Sequence, residues 1–217
     1  MHPITPHHGN VRLRVQTAQR ARTWKPARLL GVLLLPLLTS CATSGMGARV
    51  LTTPDQQERY AQDVAAGQRV CDTIDRTIYP TSDCPLTRIE VREQLPPGTA
   101  GGALPNGLIV MHKRLYAGDT EELRRAILAH EFAHQLLNHP RRCREAKYRP
   151  LCEQQADIHS VRVLELGWGM SQAEAVKLVY ARLLGRAGHM PRNGHAAGCD
   201  EILAFTIIYR LPVPAGC

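Results

Sequence analysis

The hydrophobic positions of this chain recur every three or four residues along most of its length, a spacing typical of amphipathic helices. On this basis five helices are predicted, at about 53–70, 119–138, 153–166, 171–185 and 200–209. Three of them begin with capping signals, which are Thr53 before Pro54, Asp119 with Glu122, and Ser171 with Glu174. Gly or Pro follows several of the predicted helix ends, where the helical hydrogen bonds cannot continue.

Two short segments have the pattern of β-strands instead. In 86–91, Ile89 and Val91 alternate with charged residues, and 107–115 contains an apolar run bounded by turn signals. The proline- and glycine-rich segment 96–102 between them is predicted to be a loop. Because no internal repeat or second domain is visible, we expect one mainly helical α+β domain over 53–217.

The first 40 residues have the features of an export signal, so they are excluded from the predicted fold. Residues 1–28 contain six basic residues and no acidic residue, and the apolar stretch 29–38 follows. A helix of that length would span about 15 Å, roughly half of a bilayer core, which argues against a permanent transmembrane helix.

The end of this signal, Leu38-Thr39-Ser40-Cys41, resembles the bacterial lipobox. The resemblance implies that Cys41 is lipidated and becomes the new N-terminus, which makes 41–52 a tether. It also implies a location in the bacterial cell envelope, where a residue other than Asp after the cysteine favours the outer membrane and a domain facing the periplasm. Ordinary signal cleavage without lipidation is the alternative.

Removal of the signal changes the meaning of the basic composition. Six of the 27 Lys and Arg residues lie in the signal. The mature chain therefore contains 21 basic and 19 acidic residues and carries a net charge of +2. The high isoelectric point is therefore no evidence for a nucleic-acid partner.

Six cysteines follow Cys41, and an even number in an exported chain indicates three disulfide bonds. Several connectivities are possible, but the spacing favours three local bridges, Cys71 with Cys84, Cys143 with Cys152, and Cys199 with Cys217. A cysteine metal site is the competing interpretation, and the absence of any CxxC pair argues against it.

The clearest chemical signal is the HExxH sequence at 130–134. His130 and His134 are four residues apart and would share one helix face, where both could bind a single zinc ion. Glu131 would lie beside the bound water, accept its proton as it attacks a peptide carbonyl, and later protonate the leaving amine. The alternative is a buried histidine pair with no metal.

A third candidate zinc ligand is Glu153, nineteen residues beyond His134 at the predicted start of the next helix. Two histidines and a glutamate leave the fourth position of zinc for water, as a catalytic site requires. Asp157 lies one helical turn after Glu153 and could orient a ligand histidine through its second ring nitrogen.

The segments 103–107, 130–134 and 153–157 together resemble the HtpX and CAAX-prenyl-endopeptidase type of zinc peptidase, the gluzincins. The similarity covers about 100–185 and implies a zincin-like fold, zinc held by His130, His134 and Glu153, and Glu131 as general base. The integral membrane helices of that type are missing, so the chain is closer to its small exported lipoproteins, which are implicated in envelope quality control.

One feature departs from this resemblance. The family follows its core with a His-Pro pair and then an Arg near the active site, but here His195 is followed by Ala196 and no Arg stands in register. His195 is the candidate for oxyanion stabilisation, with His189 as second choice. His112, His139 and His159 are predicted to be structural or solvated.

The sequence thus predicts a zinc endopeptidase that cleaves unfolded or misassembled envelope proteins. Two alternatives stay open. One is a zinc-binding pseudo-peptidase that acts as a chaperone or assembly factor, in which the missing Arg marks lost catalysis. The other is a structural lipoprotein in which the HExxH sequence is accidental.

Overall fold

The computed structural model describes residues 50–75, 77–79, 84, 86–118, 120–187, 199–215 and 217, except for the side chains of 186 and 187. The described residues belong to one compact unit. The predicted signal peptide, Cys41 and most of the tether lie outside them, as do His189 and His195. Within the described part of the chain, the structure contains no helix that is both long and apolar enough to span a membrane.

The first helix, α1 (Pro54–Thr73), begins as its capping signal predicts. The Thr53 hydroxyl accepts a hydrogen bond from the Gln56 amide, and the Gln56 side chain accepts one from the Thr53 amide. Gly67 on the buried face lies against the backbone before the first strand, because a Cβ there would come within 2.5 Å of the Leu86 carbonyl oxygen. A glycine at this position therefore sets how closely α1 approaches the sheet.

The sheet has three short strands, β1 (Ile89–Arg92), β2 (Gly101–Ala103) and β3 (Ile109–His112), in the order β1-β3-β2. The central strand β3 is parallel to β1 and antiparallel to β2. The prediction that 96–102 is entirely a loop was wrong at its end, because Gly101 and Gly102 pair with β3. Such glycine-rich backbone carries no alternation of apolar side chains that could reveal a strand.

A single helical turn, α2 (Arg114–Ala117), leads into the long helix α3 (Glu121–Leu136), which carries the HExxH sequence. Its N-cap is Thr120, whose hydroxyl accepts a hydrogen bond from the Leu123 amide, and not Asp119 as predicted. The helix ends before Asn138, whose φ of 56° is left-handed, and α4 (His139–Arg142) turns away with Pro140 in its first turn.

The next helix, α5 (Arg149–Trp168), follows a 3₁₀ turn at Ala146–Tyr148. The prediction that it starts at Glu153 was wrong by one turn. Pro150 occupies the first turn, where its missing N–H costs nothing, so the helix begins earlier than the apolar pattern indicates. The remaining helices are α6 (Gln172–Ala187), which has the predicted Ser171–Glu174 cap, and α7 (Cys199–Tyr209).

Helix α3 lies at the centre of the molecule and contacts α5 most extensively, with the sheet, α1 and α6 around it. Its apolar face contributes residues with no exposed surface to the core, among them Leu128, Ala129, Phe132 and Leu136. The expected mainly helical α+β architecture with a small sheet is confirmed. The expectation of a single domain over 53–217 stays a prediction.

A buried ion pair joins α3 to α1. Arg124 and Asp63 are both fully buried, with 2.5 Å between Nη1 and Oδ2, and the Tyr116 hydroxyl donates to the same carboxylate at 2.9 Å. Burial raises the pKa of Asp63, and the Arg124 guanidinium partly opposes that shift. This pair fixes the first turn of α3 against α1 and α2.

The three predicted disulfide bonds are all present, Cys71–Cys84, Cys143–Cys152 and Cys199–Cys217. The second bridge joins α5 to the end of α4, across the loop between the two helices that carry the predicted metal ligands. The loop thus cannot open without moving α5.

Candidate metal centre

The three predicted metal ligands come together in the structure. His130 and His134 lie one turn apart on α3, and Glu153 faces them from the second turn of α5. The two Nε2 atoms are 3.0 Å apart, and the Glu153 carboxylate oxygens lie 3.2 Å from Nε2 of His130 and 3.4 Å from that of His134. All three side chains are buried.

These distances are close to those that a tetrahedral zinc ion requires. Two ligand atoms bound at about 2.0–2.2 Å with tetrahedral angles are separated by roughly 3.3–3.6 Å. The observed separations of 3.0, 3.2 and 3.4 Å agree with that to within a few tenths of an ångström. Two imidazoles and one carboxylate also form a donor set that suits zinc and leaves one position open.

The second ring nitrogen of His130 is held by an acid. Its Nδ1 lies 2.7 Å from Oδ1 of Asp157, one turn after Glu153 on the same face of α5. A proton on Nδ1 donated to Asp157 leaves the Nε2 lone pair facing His134 and Glu153. The Arg182 guanidinium of α6 donates a hydrogen bond to the same Asp157 oxygen. This shared partner explains why Nη2 of Arg182 also lies 3.0 Å from Nδ1 of His130.

The second ring nitrogen of His134 is held by another histidine. Nδ1 of His134 lies 3.0 Å from Nδ1 of His139, and Nε2 of His139 lies 3.1 Å from Oε1 of Gln155. With a proton on His134 Nδ1 and one on His139 Nε2, each ring donates to the next group, and His134 also presents its Nε2 lone pair to the cavity. His139 was predicted to be structural or solvated, and the structure shows it buried and in contact with a predicted ligand.

The surroundings of His130 and His139 favour the neutral form of each ring. Burial lowers the pKa of His130 well below its usual range, and the charges of Arg182 and His134 lower it further. Burial also lowers the pKa of His139 to about 4. Neutral imidazole is the form that binds metal ions, so His130 does not have to lose a proton before a metal ion binds.

A cavity of about 280 Å³ opens beside the three ligands. Glu131, His134 and Glu153 line one side of it, and the strand β2 lines another. A Cβ on Gly101 would lie 3.2 Å from Cγ of Glu131, so the backbone of β2 passes directly over that side chain. The cavity therefore combines a metal-binding end, a carboxylate and an edge strand.

A second group of potential ligand atoms, His139, Cys143 and Cys152, lies next to this centre. Its two sulfur atoms are bonded to each other, so they offer no thiolate to a metal ion. The expectation that the cysteines form disulfide bonds and not a metal site holds for this pair.

Sequence reasoning identified the three converging residues, Glu131 and Asp157, but missed the groups around them. Arg182 lies on a different helix, 25 residues from Asp157. His139 carried a detectable signal, since it follows His134 by five residues just before a proline. No local pattern indicated Gln155 or the close approach of Gly101.

Comparison with known proteins gives one match. Residues 73–151, somewhat over a third of the chain, match the model of peptidase family M48. The matched region contains the HExxH sequence and ends two residues before Glu153. It supports a metal-dependent peptidase. Searches of curated proteins and of solved structures gave no significant match.

Proposed function

We propose that this protein is a zinc-dependent endopeptidase with a zincin-like fold, whose metal ion is held by His130, His134 and Glu153. The observation that carries the proposal is the convergence of two Nε2 atoms and a carboxylate at tetrahedral spacing, beside a glutamate and an edge strand. The match of 73–151 to a metallopeptidase family supports the same reaction class.

Each residue has a distinct part in this reaction. Zinc at such a site supplies a Lewis acid that polarises a peptide carbonyl and makes water nucleophilic near neutral pH. Glu131 accepts the proton of the attacking water and then delivers it to the leaving amine. Asp157 holds His130 in the required tautomer by contacting its Nδ1, and His139 does the same for Nδ1 of His134.

The edge strand gives a means of holding an extended peptide. Among the described residues β2 pairs with β3 on one side only, and Gly101, Gly102 and Ala103 line the cavity. A substrate segment that adds to this edge by backbone hydrogen bonds would run past Glu131. Backbone pairing depends little on sequence, which suits an enzyme that acts on unfolded chains.

The proposed substrates are unfolded or misassembled proteins of the cell envelope, and the proposed role is quality control. This part rests on the signal-like residues 1–40 and on the resemblance of 38–41 to a lipobox. The three disulfide bonds support it, because such bonds persist in oxidising compartments.

The test combines metal analysis with proteolysis of an unfolded substrate such as casein. Purified protein should contain one zinc per chain and should cleave casein. His134→Ala should lose the metal, whereas Glu131→Gln should keep it and lose cleavage by about 10²-fold or more. Glu122→Gln, an exposed glutamate in the first turn of the same helix, serves as the control and should behave like wild type.

Two outcomes would contradict the proposal. Unchanged zinc content in His134→Ala would remove the ligand assignment. Cleavage by Glu131→Gln at the wild-type rate would remove the general base. Zinc binding without any cleavage, together with chaperone activity that survives Glu131→Gln, would favour the pseudo-peptidase.

A further inference from the structure

The segment between the two metal-binding helices carries an excess of positive charge. Residues 141–149 include five basic side chains against the single acid Glu145, all exposed: Arg141, Arg142, Arg144, Lys147 and Arg149. Two of them are engaged, since Arg141 donates to the Pro105 carbonyl and Lys147 pairs with Glu145 at 3.0 Å. Arg142, Arg144 and Arg149 make no side-chain hydrogen bond or ion pair within the described part of the chain.

Arg149 differs from the other two in its position. It lines the metal cavity together with Glu131, His134 and Glu153. It also precedes Glu153 by four residues on α5, so both side chains lie on one face of the helix, with Cβ atoms about 5–6 Å apart. A substrate side chain next to the scissile bond would therefore come within reach of the guanidinium.

The stability of α5 gives no reason for a cation there. Arg149 is the first residue of the helix, and the first turn contains no acid. The helix dipole places partial positive charge at this end, so a basic residue is unfavourable and an anion is favoured. A bound carboxylate would satisfy both the helix terminus and the guanidinium.

The charges of the loaded cavity point the same way. The two carboxylates of Glu131 and Glu153 balance the two positive charges of a zinc ion, and Arg149 adds one more positive charge at the rim. Arginine binds carboxylates through two parallel hydrogen bonds, which makes it selective for Asp and Glu over amide side chains.

A neighbouring cavity with two large apolar side chains extends the site. This second cavity of about 210 Å³ shares His139, Cys143 and Cys152 with the first, and its lining adds Tyr148, Leu151, Arg142 and Gln155. The side chains of Tyr148 and Leu151 are 45% and 54% exposed, which leaves apolar surface that a bound side chain can cover. A peptide that leaves the metal cavity on this side would place a side chain against them.

We propose that Arg149 is a substrate-binding residue that selects peptides with Asp or Glu next to the scissile bond. The adjacent cavity at Tyr148 and Leu151 takes an apolar side chain on the same side of that bond. This inference rests on the proposed peptidase function and names its substrate class. Arg144, which lines neither cavity, has no part in the selection.

The test uses matched peptides that carry Glu, Gln or Lys at one position, scanned across both sides of the cleaved bond. For wild type, kcat/KM should be about tenfold higher with Glu than with Gln at one position, and salt should reduce the ratio. Arg149→Ala should bring the ratio close to one, and Arg149→Glu should favour Lys. Arg144→Ala should keep the wild-type ratio, and all variants should contain equal zinc.

A binding arm separates this inference from the proposed function. Glu131→Gln protein should bind the Glu peptide more tightly than the Gln peptide, and adding Arg149→Ala should abolish the difference. Equal cleavage of both peptides by wild type and Arg149→Ala would overturn the selection and leave the peptidase standing. If wild type cleaves nothing, the proposed function fails and the binding arm alone decides: a preference lost with Arg149 supports the anion site, and equal binding overturns it.

Discussion

Each predicted ligand histidine of α3 turns its Nε2 toward Glu153, and its Nδ1 contacts another side chain. His130 gives its Nδ1 to an acid that also meets Arg182, whereas His134 gives its Nδ1 to a neutral ring. An acidic partner makes a histidine a stronger metal ligand than a neutral partner does. We therefore expect His130 to bind the metal more strongly than His134. We also expect metal binding by His134 to weaken when His139 is lost.

His139→Ala should weaken zinc binding by about 10- to 100-fold, because His134 would lose the group that fixes its tautomer and ring orientation. His139→Gln, whose side-chain oxygen can still accept a hydrogen bond, should recover part of the affinity. Competition with a chelating indicator measures the change. His159→Ala is the control, since His159 contacts Tyr79 and no predicted ligand. Equal affinity for all three variants would show that His139 does not position His134.

The predicted ligands were accessible from sequence because they depend on local geometry. The spacing of His130 and His134 places them on one helix face wherever that helix lies, and Glu153 and Asp157 repeat this on α5. Arg182 was not accessible, because its contact with Asp157 depends on how α6 packs against α5. The predicted catalytic role of His195 lies outside the described residues and stays a prediction.

At the scale of elements, β2 depends on a residue without a side chain. A Cβ at Gly101 would lie 3.1 Å from Sδ of Met111 and 3.2 Å from both Glu131 and Ile127. These contacts are tighter than ordinary packing, so a side chain at this position would push Glu131 and its neighbours aside by a few tenths of an ångström. The sequence pattern indicated a loop, because this strand depends on backbone pairing with β3 and on close approach to α3. Neither feature produces a pattern of apolar side chains.

Gly101→Ala should lower kcat by about tenfold or more while the zinc content stays at one per chain, because the new methyl group displaces Glu131 and not the ligands. Gly102→Ala is the matched control, since its Cβ would meet only Val110 at an ordinary 3.4 Å. Steady-state kinetics with metal analysis measures both. Equal kcat values for the two variants would show that β2 does not set the position of Glu131.

The Cys143–Cys152 bridge should matter for the metal centre as well as for stability. It closes a short loop and holds α5 in register with α3, so the Cys143→Ser and Cys152→Ser double variant should lose about 2–4 kcal/mol of unfolding free energy. Zinc affinity should fall too, because Glu153 directly follows Cys152. Denaturant unfolding and chelator competition test the two effects. Free thiols at both positions in protein recovered from the envelope would remove the premise.

At the scale of the whole molecule, the predicted anchor depends on a lipid attached to Cys41. The predicted mature chain has a net charge of +2, which gives weak attraction to a lipid surface. Acyl chains contribute about 0.8 kcal/mol per buried methylene, and two or more chains are needed for stable attachment. If the protein stays on a membrane, lipid at Cys41 is the expected cause.

Cys41→Ala should therefore move the protein out of the membrane fraction, either as a soluble form or as an uncleaved precursor. Zinc content and casein cleavage of the purified protein should not change, because the proposed centre is built from 130–182. Fractionation and mass spectrometry of the N-terminus measure the effect. A wild-type protein that fractionates as soluble and carries no lipid would show an ordinary secretory signal.

If the chain is exported, as residues 1–40 predict, the order of the three disulfide bonds has a consequence for how it folds. Each bond joins two cysteines that are neighbours among the last six in the sequence, at separations of 13, 9 and 18 residues. A chain that crosses a membrane from its N-terminus exposes these cysteines pair by pair, so an oxidant acting at once produces the native partners. Maturation should therefore need a thiol oxidase but no disulfide isomerase.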